Sequence, residues 1–143
     1  MIVLSFIVPG VPVAKGRPRL TTRGGFARAY TPAKTRRYED LVRCEAIDAM
    51  NGREPLQEPV CVTITAYLEM PKRLSSAKRI DACAGIIKPV GRMDVDNIAK
   101  SAIDGCNAIV FKDDNLVTDL IVRKRYSETP RLVVTVETEA EYG

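Results

Sequence analysis

The spacing of apolar residues changes period several times along this chain, and that changing rhythm limits what it can fold into. Ile2 to Val8 is a β-branched run closed by Pro9-Gly10, and Leu132 to Val136 is another. Between them Val60–Met70 alternates through Val60, Val62, Ile64, Ala66 and Leu68. Alternation of this kind sets one face of a strand against a core. Elsewhere the spacing is helical. Thr31-Pro32 predicts an N-cap followed by proline at the first helical position, with a helix running to about Met50, where Asn51-Gly52 stops it. Its predicted core face is Tyr38, Leu41, Val42, Ala46, Ala49 and Met50. A second main helix is predicted over roughly Asn97–Ala108, capped by Asp96. Ser75 can cap a short helix through Ala84 inside the basic stretch Pro71–Pro89, which is expected to be either mobile or substrate-contacting.

Pro9, Pro12 and Pro18 leave Gly10–Leu20 as an extended basic loop, and Arg23-Gly24-Gly25-Phe26 turns the chain into a short strand, Phe26–Tyr30. Leu116–Tyr126 and Arg131–Glu137 are predicted to close the fold as a hairpin about Ser127–Pro130. The order β-β-α-β-α-β-β is that of an α/β (α+β) protein with a mixed β-sheet flanked by two main helices. No repeat or long linker divides the 143 residues, so the expected organisation is one domain over 1–143 with a real hydrophobic core.

Several function classes drop out early. No apolar run approaches the roughly 18 residues needed to span a bilayer, and the first residues lack the charged start of a secretory leader. The expected location is the cytoplasm. The four cysteines, Cys44, Cys61, Cys83 and Cys106, form no C-x-x-C pair and are expected as small apolar fillers in a reduced protein. With no histidine, Ser-His and Cys-His catalysis and the usual zinc sites are excluded. Chemistry must therefore run on carboxylates, lysine or a metal. The net charge of +4 conceals a segregation: Lys15, Arg17, Arg19, Arg23, Arg28, Lys34, Arg36 and Arg37 precede the first acidic residue, and the rest of the chain is net acidic. A cationic platform beside an anionic site suits a polyanionic partner such as nucleic acid.

The anionic site is read from Asp94-Val95-Asp96-Asn97, Lys100 and the later pair Asp113-Asp114. Carboxylates packed this closely repel one another, and a hard divalent ion such as Mg²⁺ or Mn²⁺ relieves that. An extended backbone would point Asp94 and Asp96 to the same side, with Val95 facing inward. The predicted helix carries the chain away by about 18 Å, and the steps from Ala108 to Asp114, if extended, return it by about 20 Å. Lys100 lies one turn beyond Asp96, where it can serve phosphate chemistry or form a salt bridge to Asp96 or Asp104. An EF-hand is excluded: Ile98 and Ala99 stand where an oxygen ligand and a glycine belong.

These residues resemble the RusA family of Holliday junction resolvases. The family pattern D-x-D-N-x-x-K, then D-x-x-N, then D-D reads here Asp94-Val95-Asp96-Asn97-Ile98-Ala99-Lys100, Asp104-Gly105-Cys106-Asn107 and Asp113-Asp114. The family's basic N-terminal element reads Pro9-Gly10-Val11-Pro12-Val13-Ala14-Lys15-Gly16-Arg17-Pro18-Arg19. The chain departs from the pattern in two places: Val90-Gly91-Arg92-Met93 separates Lys88-Pro89 from the first aspartate, and Leu116 replaces a frequent glutamine. The resemblance implies that Asp94, Asp96 and Asp114, with Asp113 beside them, bind Mg²⁺ or Mn²⁺, and that Lys100 is an essential lysine. It further implies a homodimer that cuts four-way DNA junctions symmetrically. Lys15, Arg17, Arg19, Arg23, Arg28, Arg36 and Arg37 are the expected DNA-backbone contacts. The rival expectations are a nuclease for other branched or flapped DNA, a non-catalytic DNA-binding module, and a structural dimer.

Overall fold

The computed structural model describes residues 1–16 and 19–139, with Arg19 described by its backbone alone. The elements run β1 (Ile2–Pro9), β2 (Arg19–Thr21), β3 (Arg28–Tyr30), α1 (Ala33–Met50), β4 (Val60–Leu68), α2 (Ser76–Cys83), α3 (Val95–Cys106), β5 (Val117–Tyr126) and β6 (Arg131–Thr138). β1, β6, β4 and β5, in that order, make a four-stranded mixed sheet, and β2 pairs with β3 in a small separate ribbon. The mixed α+β class expected from the sequence is thus the observed one.

Alternation decides which face of the large sheet is buried. Leu4, Phe6 and Val8 of β1, the even residues of β4 from Val60 to Leu68, and Leu132, Val134 and Val136 of β6 all point into one core. Tyr38, Val42, Ala46 and Met50 of α1, with Ile98, Ala102 and Cys106 of α3, close that core from the helix side. Leu41, predicted for the core face of α1, is 53% exposed, and Thr35 is buried instead. The buried stripe runs Thr35, Tyr38, Val42, Ala46 and Met50, which leaves Leu41 to one side of it. Pro32 rather than Thr31 occupies the N-cap, no side chain caps it, and Thr35 Oγ1 accepts a hydrogen bond from Gly16 N at 3.0 Å. At the other end Asn51 closes α1 in the left-handed region, as expected of Asn-Gly. Ser75 likewise caps α2, its Oγ accepting from Lys78 N at 3.3 Å.

The predicted closing hairpin is not formed. β5 and β6 lie on opposite sides of β4: β5 runs parallel to it and β6 antiparallel. β5 carries Asp119, Arg123, Lys124 and Arg125, a composition suited to an edge, whereas the strictly alternating β6 suits the interior of a sheet. The connection crosses the end of β4, where Ser127 N donates to Leu68 O at 3.0 Å. The cysteines also differ from expectation. All four are free, but Cys44 and Cys83 are exposed, so Cys106 is the clear core filler, its thiol pushed up to about 12 by burial. No helix among the described residues is long and apolar enough to cross a membrane.

Candidate active site

α3 starts earlier than its sequence suggests. Asp94 is the N-cap, with extended backbone (φ −74°, ψ 138°) and no side-chain capping bond, while Val95 and Asp96 already belong to the first turn. Asp94 and Asp96 are therefore displayed by a helix start, not by strand alternation. Val95 is accordingly 43% exposed instead of facing inward. Both carboxylates face solvent at the positive end of the helix dipole, where anionic groups are stabilised. Ile98, Ala99 and Ala102 bury the other side of the same turns, so packing fixes the direction in which the acids point. Lys100 is exposed and, among the described residues, has no ion-pair partner; neither salt bridge open to it in the sequence is made.

The return from α3 is not extended. Ile109 N and Val110 N both donate to Cys106 O, and Ala108 adopts φ 66°. Val110 and Phe111 then plunge into the core, with Phe111 fully buried and Leu56 bridging it through Leu56 N to Val110 O and Lys112 N to Leu56 O. Two residues beyond this anchor come the exposed Asp113 and Asp114. Asp113 Oδ1 caps a single 3-10 turn, accepting from Asn115 N at 3.0 Å. That bond, and one shared with Asp114, hold the Asp113 carboxyl below its usual range. Asp114 is pushed up, first by the hydrogen bond to Asp113, then by slight desolvation and by the charges of Asp113 and Asp104.

The turn thus leaves Asp114 within reach of the charge of Asp104, in the C-terminal half of α3. Asp96 lies eight residues back along the helix, about 12 Å of axial rise. Among the described residues no three acidic side chains group closely enough to hold an ion. The donors themselves are what a hard divalent cation takes: exposed carboxylates, two of them adjacent in the chain, so that their negative charges repel.

A second cluster is one that sequence reasoning missed. Lys15 Nζ is hydrogen-bonded to Asp104 Oδ2 and lies 3.1 Å from Glu39 Oε1, so a single ammonium joins the N-terminal loop to α1 and α3. Burial alone would lower its pKa, but the bonds to Asp104 and Glu39 outweigh that and raise it. Val13 and Lys15 of the loop are also held by backbone bonds. Lys15 N donates to Asn97 O at 2.9 Å, and Ser101 Oγ donates to Val13 O at 2.9 Å. Lys15, expected on DNA, thus has its ammonium paired with Asp104 and Glu39. Arg43, which sequence reasoning left out, reaches across from α1 to donate to Asp104 O at 3.3 Å. The signal available for the cluster was the D-x-x-N at Asp104, read only as part of a motif.

Among the remaining expected DNA contacts, Arg23 and Arg28 stand exposed on the β2–β3 ribbon and its connection, and Arg36 and Arg37 stand exposed on the first turns of α1. Arg17 lies outside the described residues, and so does the side chain of Arg19. A family model described as endodeoxyribonuclease RusA matches residues 9–137. The chain is also 37% identical over 137 residues to YqaN of Bacillus subtilis (strain 168), described as an uncharacterized protein, covering 93% of this chain and 94% of that one.

Proposed function

This chain belongs to the RusA family of endodeoxyribonucleases, and from that premise we propose that it binds four-way DNA junctions and resolves them by metal-dependent phosphodiester hydrolysis. The observation that carries the reading is a coincidence of match and geometry. The family match takes in both acidic motifs, which α3 and the anchored turn after it display to solvent. Asp94, Asp96 and Asp114, with Asp113 beside them, would hold Mg²⁺ or Mn²⁺. When bound, such an ion supplies Lewis-acid polarisation of the phosphate and a bound water of lowered pKa.

The residues of the chain do the rest. Arg23, Arg28, Arg36 and Arg37 neutralise and hold the flanking DNA backbone. Lys100, free of internal partners among the described residues, places an ammonium one turn from Asp96, where it can steady charge developing on a phosphate oxygen. Because the acids at the start of α3 stand apart from Asp113 and Asp114, the active arrangement requires them to close together on the substrate. A homodimer would present two such sites and cut opposed strands symmetrically. Action in the cytoplasm on recombining DNA follows from the same reading.

The test is cleavage of synthetic four-way junctions, flaps and linear duplex, side by side, with and without Mg²⁺. Junctions should be cut preferentially and only with the metal. Asp96→Asn should abolish cleavage while leaving junction binding intact. Full cleavage by Asp96→Asn would sink the assignment of the site, and preference for flaps would move the substrate to other branched DNA.

A further inference from the structure

The ribbon of β2 and β3 has no core of its own. From Thr22 to Tyr30 every residue is exposed, and among the described residues the ribbon's hydrogen bonds stay within it. Arg23 N donates to Thr21 Oγ1 at 3.3 Å and Gly25 N to Thr22 O at 3.0 Å, while Gly24 and Gly25 both take φ 83°. A left-handed pair of this kind turns the chain sharply, and glycine adopts it without strain. Phe26 follows at once on extended backbone (φ −123°, ψ 140°), in the connection that closes the ribbon. It is 71% exposed, whereas Phe6 and Phe111 are buried in the core. Tyr30, at the end of β3, is exposed as well, and among the described residues these two are the exposed aromatic side chains. The order along the segment is aromatic, basic, aromatic: Phe26, Arg28, Tyr30.

We propose that the tip of this ribbon is a wedge: the Phe26 ring stacks on a base face left open at the branch point of the DNA, and the arginines beside it hold the phosphates of that strand. The wedge rests on the reading of the chain as a junction nuclease, and it supplies what tells a junction from ordinary duplex. A single exposed apolar side chain is common on protein surfaces. This one has neighbours that select its partner. Arg23 and Arg28 flank it, make no ion pair among the described residues, and precede Glu39, the first acid in the chain. A protein surface seated here would have to bring its own acids, whereas a DNA strand carries a phosphate beside every base. Aromatic side chains set among cations are the means by which proteins grip unpaired strands. Arg28 is two residues on, at most about 7 Å away along the backbone, so ring and guanidinium can take the base and the phosphate of one nucleotide. Within regular duplex each base face is covered by its neighbour, and the ring finds nothing to stack on. At a branch point the stack is interrupted and a face is open.

The chain contains no tryptophan, so Phe26→Trp places a single fluorophore at the tip. Its emission is followed, without added metal, against a synthetic four-way junction, a linear duplex and a thymine oligonucleotide, with circular dichroism to verify folding. Junction and single strand should quench it, and bound duplex should quench it far less. Phe26→Ala should weaken junction binding by about tenfold or more and leave duplex binding within about twofold. The salt slope of affinity should not change, because no charge is lost. Phe26→Tyr should bind junctions like the wild type. Phe26→Leu, which keeps apolar bulk without a π face, should bind them like Phe26→Ala. Equal junction binding by wild type and Phe26→Ala overturns the wedge and leaves the nuclease reading to its own cleavage test. Quenching of Phe26→Trp by duplex as strong as by junction overturns it too. So does an emission that follows protein concentration and not DNA, which would seat a protein surface on the tip. A wild type that binds no DNA overturns the wedge and the nuclease reading together.

Discussion

Lys15 shows how one side chain can connect the two charged halves of the molecule. Its ammonium forms ion pairs with Glu39 and Asp104, and removing it leaves two carboxylates without a shared counter-charge. The side chain is 25% exposed, so Lys15→Met should cost about 1–2 kcal/mol, below the roughly 3–5 kcal/mol of a fully buried pair. Urea unfolding measures this, and Lys15→Arg should restore part of the loss. The pH dependence has a definite sign. The folded pKa is raised above the ordinary 10.5, so the contribution of the ammonium is complete below that value and is lost as pH rises through the higher folded one. The cost of Lys15→Met should therefore be level across neutral pH and shrink in strong alkali. Binding of DNA supplies a second check: an internal ammonium leaves the salt dependence of affinity unchanged, whereas a lost phosphate contact lowers the slope by about 0.9.

At the scale of elements, α1 and α3 cross where Gly105 meets Val42. A Cβ at position 105 would lie 2.6 Å from Val42 Cβ and Cγ1 and 3.0 Å from the Glu39 carbonyl oxygen. Glycine is required there by close approach, since its backbone is ordinary helix. Gly105→Ala gains up to about 1 kcal/mol of helix propensity but forces the helices apart, at about 1–3 kcal/mol of overpacking. A net loss of stability is expected, with Val42→Ala in the same chain recovering part of it. Junction cleavage should fall more than junction binding, because α3 carries Asp94, Asp96, Lys100 and Asp104 together. Equal stability of Gly105→Ala and wild type would show that the crossing is looser than its geometry.

For the whole molecule, the feature that matters is separation of charge. The first acidic residue follows eight basic ones, and Arg36 and Arg37 are exposed on the helix whose next turn carries Glu39 toward Lys15. Replacing Arg36 and Arg37 by glutamine should weaken junction binding and lower the slope of log affinity against log salt by about 1.8. It should also leave the unfolding free energy within about 0.5 kcal/mol of wild type, as for exposed surface changes. An unchanged slope would place the DNA path elsewhere on the surface.

What could be read from the residues in order was whatever neighbours a few positions apart decide. That includes the alternation of β1, β4 and β6, the Asn51 stop of α1, the Ser75 cap of α2, and the association of D-x-D-N-x-x-K with a helix start. Each is a local contest of backbone sterics, capping bonds and side-chain period. The tertiary structure alone decided what depends on partners far along the chain. Lys15 found Asp104 across 89 residues, β5 was sent to the sheet edge beside β4 instead of pairing with β6, and Phe111 drew the return from α3 into the core. Packing, which no short window of sequence contains, thereby set how far Asp113 and Asp114 stand from Asp94 and Asp96.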